Sequence, residues 1–66
     1  MSSYKISIII PAFNEEKNIE KILQSAYTQT YKDFEVIVVD DGSTDNTGII
    51  CKKYEENHTN FKYIYK

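Results

Sequence analysis

The sequence contains few of the residues that give small proteins special scaffolds. Among its 66 residues there are one cysteine, one proline and two glycines. The single cysteine, Cys51, excludes a disulfide within the chain, and a small domain without disulfides points to a reducing compartment. No apolar run reaches the length of a membrane span, and the apolar stretch before Pro11 is too short for a signal peptide. We therefore expect a cytoplasmic protein. If these 66 residues belong to a longer protein, a location at the inner face of a membrane is the alternative.

An excess of charge of one sign is also absent. The formal net charge is -2, which gives no general attraction to nucleic acid or to anionic membranes. With only two glycines, the chain lacks both Gly-x-Gly-x-x-Gly and Gly-Lys-Ser/Thr, the two common phosphate-binding loops. The composition, 41% hydrophobic and 27% charged, is nevertheless that of a globular domain. The length allows at most one domain with a small core.

The apolar pattern predicts five alternating elements. Residues 6–10 (ISIII) are β-branched almost throughout and predict a strand that Pro11 ends. Residues 14–29 have helical periodicity, with Asn14 as the candidate N-cap and an inner face formed by Ile19, Ile22, Leu23 and Ala26. Residues 34–39 predict a second strand, apolar on both faces as in a covered parallel sheet. A second helix is expected from about Asp45 or Thr47 to Glu56, and a third strand over residues 61–65.

The order β-α-β-α-β predicts an α/β fold with parallel strands, the Rossmann-like half of a doubly wound sheet. The second strand is expected between the other two. The loops PAFNEE and DDGSTD would then meet at the carboxyl edge of the sheet, where ligands bind in such folds. Phe13 offers a flat apolar face for a base, and carboxylates accept hydrogen bonds or bind metal ions. The acidic run DFE, residues 33–35, falls at the opposite, amino edge.

The stretch ISIIIPAFNEEKNIEKILQSAYTQTYKDFEVIVVDDGSTDNT resembles the opening of an inverting family 2 glycosyltransferase with the GT-A fold. The resemblance rests on Pro-x-aromatic-Asn-Glu after the first strand, Gln-Thr-Tyr after the helix, and Asp-Asp-Gly-Ser-Thr-Asp after the second strand. It implies that residues 1–66 are the N-terminal part of a GT-A domain, truncated at about the third strand. It also implies that the two loops hold the nucleotide of a sugar donor, usually a UDP-sugar.

Six residues form the nucleotide-sugar site that the resemblance implies: Pro11, Ala12, Phe13, Glu15, Asp40 and Asp41. The backbone of the first three would frame the uracil, with Phe13 packing near the ring where the family often has tyrosine. Glu15 would lie close to the nucleotide. Asp41 would accept a hydrogen bond from the uracil N3–H, while Asp40 would support Asp41 or approach the ribose.

The resemblance implies no catalytic residue and no metal ligand in this segment. The metal-binding Asp-x-Asp of the family and its general base lie further along the chain. A divalent metal, Mg or Mn, is therefore expected only for the full-length protein, and the short chain alone is expected to be inactive. The donor sugar and the acceptor, whether glycan, lipid or another hydroxyl compound, are not determined by these residues.

Other interpretations remain open from the residues alone. VIVVDD also resembles the acidic strand end of a receiver-like signalling domain, and a non-catalytic nucleotide-binding module requires nothing beyond these residues. Phe13 could be ordinary packing, Glu15 a helix-start charge, and Asp45 is better explained as a helix cap than as a ligand contact. The first strand would be an apolar sheet edge in this short chain. We therefore expect self-association through that strand or by exchange of an element.

Overall fold

The fold is given by a computed structural model, which describes residues 5–29 and 32–66. Part of the connection expected after the first helix, residues 30 and 31, lies outside the described residues. The elements, in chain order, are β1 (Ile6–Ala12), α1 (Ile19–Thr28), β2 (Phe34–Asp40), α2 (Thr47–Asn57) and β3 (Phe61–Tyr65).

The three strands form one parallel sheet in the order β1-β2-β3. Ile10 pairs with Val38, and Val38 pairs with Tyr63, so the carboxyl ends of all three strands reach the same edge. The α/β fold and the central position of β2 are confirmed. The short connections place the loops after β1 and β2 side by side at this edge.

Both helices cover the same face of the sheet. A single core cluster joins Ile10 of β1, Leu23 of α1, Val36 of β2, Cys51 of α2 and Phe61 of β3. Strands alternate the direction of successive side chains, so every second residue of β2 is buried beneath the helices and the intervening residues are half-buried. The expectation that β2 is covered on both faces is therefore not met within the described residues.

The end of β1 differs from the sequence prediction. Pro11 does not end β1, which continues to Ala12. The Asp41 N–H donates to the Ala12 carbonyl, 2.9 Å away. By alternation the nitrogen of Pro11 faces the free edge of the sheet, where a missing N–H leaves no hydrogen bond unmade.

Helix α1 begins at Ile19, and Asn14 is not its N-cap. The cap position is occupied by Asn18, which makes no side-chain cap hydrogen bond. Asn14 has a left-handed backbone with φ 51°. The amides of Glu15 and Glu16 donate to the side chains of Thr47 and Asp45, at the start of α2 and just before it. The polar sequence before α1 is thus used for contacts between loops.

The second face of the sheet is bare within the described residues and partly apolar. Ile9 is 56% exposed on β1 and Ile64 is 37% exposed on β3, with the half-buried side chains of Ile37 and Val39 between them. Strand β1 is also a free edge, as expected. In the described part of the chain no helix is long and apolar enough to cross a membrane.

Candidate functional site

The two loops at the carboxyl edge are joined by a dense set of hydrogen bonds. The first loop comprises residues 13–18 and the second comprises residues 41–46. Three successive amides of the first loop donate to side-chain oxygens: Asn14 to Ser43 Oγ (2.7 Å), Glu15 to Thr47 Oγ1 (2.8 Å) and Glu16 to Asp45 Oδ2 (3.2 Å). In return, the Asn46 amide donates to Glu16 Oε1 at 3.1 Å. The loops therefore behave as one structural unit.

Asn14 is the centre of this contact. Its side-chain oxygen accepts hydrogen bonds from the amides of Thr44 and Asp45, at 2.8 and 3.3 Å. Asparagine tolerates the left-handed backbone better than most residues do, which accounts for this residue type at φ 51°. The neighbours of Asn14 are Phe13 and Glu15, so its three hydrogen bonds fix both relative to the second loop.

Asp45 accepts a hydrogen bond from the backbone amide of Thr47, the first residue of α2. Its Oδ1 accepts hydrogen bonds from the Thr47 N–H at 2.9 Å and from the Thr47 hydroxyl at 2.5 Å. Desolvation alone would raise the pKa of Asp45, but the hydrogen bonds from Thr47 and from the Glu16 amide lower it below its ordinary value. Asp45 thus stabilises the start of α2 from the position before the N-cap, which is Asn46, so the prediction that Asp45 is the cap residue itself is off by one position.

Asp40 is fully buried at the end of β2. Its Oδ1 accepts the Ser43 N–H at 2.9 Å and its Oδ2 accepts the Tyr63 hydroxyl at 2.5 Å. Burial would raise the pKa of this carboxyl, and the charge of Asp45 acts in the same direction. The hydrogen bonds from Ser43 and Tyr63 outweigh both effects and hold the pKa of Asp40 below its ordinary value. The buried group is therefore an ionised carboxylate with both oxygens bound.

Asp41 lies on the other side of the edge and is exposed. It lines an open groove of about 480 Å³, which we call the edge groove; its lining residues are Pro11, Ala12, Phe13, Glu15, Val39, Asp41 and Lys66. Phe13 is 58% exposed there. The groove thus combines an aromatic face, two carboxylates and one ammonium group.

The structure brings five of the six implied site residues into this groove. Pro11, Ala12, Phe13, Glu15 and Asp41 line it, whereas Asp40 is buried beneath it. The sequence analysis did not identify Val39 or Lys66. Lys66 follows β3 and its amide donates to the Asp40 carbonyl at 2.9 Å. Because parallel strands end at the same edge, the position of Lys66 directly after the third strand was the available signal.

Asp33, Glu35 and Cys51 lie away from the edge groove. Asp33 Oδ1 accepts the Lys5 amide at 3.4 Å, and the Ser7 hydroxyl donates to Glu35 at 2.5 Å, both near the amino edge. Cys51 is buried in α2, where burial and the charges of Asp40 and Glu55 raise the pKa of its thiol to about 11. Among the described residues, 5–29 and 32–66, no group of three or more His, Cys, Asp or Glu side chains is arranged so that it could hold a metal ion.

The parallel sheet with its helices defines an α/β domain of Rossmann-like type, and comparison with known proteins identifies its family. The profile described as "Glycosyl transferase family 2" matches residues 7–66. The chain therefore belongs to glycosyl transferase family 2. This membership leaves the receiver-like alternative without support.

Two curated relatives illustrate the likeness. The chain is 48% identical over 60 residues to "Glycosyltransferase GlyA" of Streptococcus pneumoniae, covering 91% of this chain and 9% of that protein. It is 44% identical over 59 residues to "Chondroitin synthase" of Escherichia coli, covering 89% of this chain and 9% of that protein. Across the curated relatives compared, the chain spans between 9% and 20% of their length.

A solved structure gives the same result for the fold. The chain superposes on S. aureus TarS 1–349 in complex with UDP with a TM-score of 0.84 and 42% sequence identity. The superposition covers 94% of this chain and 19% of that chain. The three strands and two helices are thus the Rossmann-like half of a GT-A fold.

Proposed function

We propose that this chain is the nucleotide-sugar-binding part of a glycosyltransferase, with a UDP-sugar as the donor. The observation that supports this most is the likeness to S. aureus TarS 1–349, which was solved in complex with UDP. The edge groove supplies matching chemistry, because Phe13 is an exposed aromatic face and Asp41 is an exposed acceptor across from it. A uracil ring offers a flat surface and one N–H donor, which suit these two groups.

The six residues that the family resemblance implies then have defined roles. The backbone of Pro11 and Ala12 frames the base, Phe13 packs near it, and Asp41 accepts its N3–H. Glu15 lies near the nucleotide. Asp40 supports Asp41 from below, since both of its oxygens are already bound within the protein.

The parent protein would transfer the sugar to an acceptor hydroxyl with inversion at the anomeric carbon. Within this chain the described residues bind and orient the nucleotide, and they form no cluster suited to a divalent metal. Following the family resemblance, we assign any Mg or Mn ion and the general base to residues outside this segment, and we expect the 66-residue chain alone to transfer no sugar. Turnover of a UDP-sugar by the purified chain would contradict this assignment. A cytoplasmic location stays an expectation from the single cysteine.

The binding role is tested by two aspartate variants of the second loop. We expect Asp41→Ala to weaken UDP binding by roughly 1–3 kcal/mol, because a donor on the base loses its acceptor. Asp45→Ala is the matched control: it removes the acceptor at the start of α2, lowers the melting temperature and leaves UDP affinity nearly unchanged. Titration calorimetry on wild type and both variants gives the result. Equal affinities for wild type and Asp41→Ala would remove Asp41 from the site.

We further propose that the 66-residue chain associates with a second copy through β1 and the bare sheet face. Strand β1 is an unpaired edge, and Ile9 on it is 56% exposed. Such an edge pairs readily with another strand. Ile9→Lys should shift the chain toward monomer in sedimentation at micromolar concentration. Ile49→Lys is the control, because Ile49 is 57% exposed but lies on α2. A wild-type monomer, or equal effects of both variants, would contradict the proposal.

A further inference from the structure

Tyr63 binds the buried carboxylate beneath the edge groove from the neighbouring strand, β3. Its hydroxyl donates to Asp40 Oδ2 at 2.5 Å, while Asp40 Oδ1 accepts the Ser43 amide. The two oxygens therefore tie three segments together: the end of β2, the second loop and β3. The register of the sheet supports this, since Val38 pairs with Tyr63 and Tyr63 reaches forward to the end of β2.

The turn that follows Asp40 depends on this carboxylate. The Asp40–Ser43 hydrogen bond closes the turn across Asp41 and Gly42, and Gly42 has φ 87°, a backbone conformation suited to glycine. The Asp41 amide is meanwhile held by the Ala12 carbonyl at 2.9 Å. The direction in which Asp41 points into the edge groove is thus set by groups on both sides of it.

Gly48 provides the space that Tyr63 needs. A Cβ placed on Gly48 would lie 2.7 Å from the Tyr63 hydroxyl oxygen and 3.5 Å from its ring carbon Cζ. A side chain at Gly48 would therefore displace the hydroxyl from the position in which it binds Asp40. Glycine is a poor residue inside a helix, so its presence in the first turn of α2 calls for a reason of this kind.

We propose that Tyr63 is a positioning residue for nucleotide binding: its hydroxyl, admitted by Gly48, holds the Asp40 carboxylate in the orientation that shapes the Asp41–Gly42–Ser43 turn and presents Asp41 to the base. This inference rests on the proposed function, because the role of Asp41 belongs to it. Tyr63 itself does not line the edge groove. It acts through Asp40 and has no contact with the nucleotide.

The first test is UDP affinity in Tyr63→Phe, measured by titration calorimetry near pH 7. The variant keeps the ring and removes only the hydroxyl, and we expect affinity to fall about tenfold or more, since a buried carboxylate loses a hydrogen bond. Tyr54→Phe is the matched control, because Tyr54 packs between the helices against His58, away from the carboxyl edge. It should bind UDP within about twofold of wild type.

A pH profile separates positioning from general destabilisation. Asp40 is faced by Tyr63 from β3, by Asp45 from the second loop and by Cys51 from α2. Without the Tyr63 hydroxyl, burial and the Asp45 charge favour the protonated carboxyl. UDP affinity of Tyr63→Phe should therefore fall further as the pH is lowered from about 7 to 5, while wild type changes little over that range.

Gly48→Ala provides a second variant that should stay folded, because alanine favours the helix more than glycine does. We expect it to lose UDP affinity. Its melting temperature should stay close to that of wild type, because the better helix propensity of alanine offsets the loss of the Tyr63–Asp40 hydrogen bond. In a Tyr63→Phe background the same change should add less than about twofold, because no hydroxyl remains to be displaced.

The outcomes distinguish the two proposals. No UDP binding by wild type would contradict the proposed function and with it the role of Tyr63. Binding by wild type together with unchanged affinity in Tyr63→Phe or in Gly48→Ala would overturn the positioning role alone. Additive losses in the double variant would also overturn it, since the two residues would then act separately.

Discussion

Asp40 and Asp41 are adjacent in the chain, but their surroundings at the carboxyl edge differ completely. Asp40 lies under the helices with no exposed surface and with hydrogen bonds from Ser43 and Tyr63. Asp41 is exposed in the edge groove, and its backbone amide donates to the Ala12 carbonyl. One carboxylate is used to build the edge and the other is left available for a ligand.

The same division between buried support and exposed ligand-binding groups applies to the two sides of the carboxyl edge. The side under the helices contains Ser43 and Thr47, which are both buried and both accept hydrogen bonds from amides of the first loop. The groove side exposes Phe13, Asp41 and Lys66. A binding site needs groups that are free to contact the ligand and a rigid support that fixes them. Here Asp40 of the support and Asp41 of the contacts are consecutive residues, at the point where β2 ends and the second loop begins.

The largest expected effect is on stability, and it should separate the two aspartates. Asp40→Ala leaves the Ser43 amide and the Tyr63 hydroxyl buried without an acceptor, so we expect the free energy of unfolding to fall by about 2–4 kcal/mol. Asp41→Ala should change it by less than about 0.5 kcal/mol, because that side chain is exposed. Urea unfolding measures both. Equal destabilisation by the two variants would show that the division between support and contact is wrong.

A smaller effect concerns alkaline pH and again belongs to the buried side. The pKa of Cys51 is raised from 9.0 to about 11 by burial and by the charges of Asp40 and Glu55. The folded state therefore retains the thiol proton more strongly than the unfolded state. The resulting stabilisation is complete below about pH 9 and is lost as the pH rises toward 11.

Urea unfolding between pH 8 and 10 tests this, with Cys51→Ala as the comparison. The wild-type midpoint should decline above about pH 9, and the variant, although less stable from lost packing, should decline less. This pH range stays at or below the ordinary pKa of tyrosine, so ionisation of Tyr63 contributes little to the loss of stability. Parallel curves for the two proteins would assign the alkaline sensitivity to another group.

Much of the fold was predictable from the sequence because it depends on local patterns. The runs ISIII and FEVIVV and the amphipathic helix between them determine the element order, and that order determines the parallel sheet and the meeting of the two loops. The third strand was predicted at residues 61–65, and the structure has it at Phe61–Tyr65.

The details that failed depend on contacts between distant residues. Asn14 was interpreted as a helix cap because asparagine favours that position, but its hydrogen bonds go to Ser43, Thr44 and Asp45. Pro11 was interpreted as a strand end, which ignored that an edge strand tolerates proline on its free side. Ile22 was placed on the inner face of α1 and is 38% exposed.

The candidate site was predictable in composition but not in the division of roles. Alternation along β2 puts Asp40 on the same face as Val36 and Val38, so its burial was already implied by the strand pattern. The hydrogen bond between Asp40 and Tyr63 was not predictable, because it depends on the register between β2 and β3. The contribution of Lys66 to the groove required the same information.

The central claim is that the edge groove is the nucleotide site, and amide chemical-shift mapping of the 66-residue chain with UDP tests it most directly. We predict that the largest shifts fall on residues 12–15, on Asp41 and on Lys66. Amides at the amino edge and in the cleft between the helices, which Tyr27, Tyr54 and His58 line, should stay unchanged. Saturable shifts centred on that cleft, or no shifts at millimolar UDP, would contradict the account.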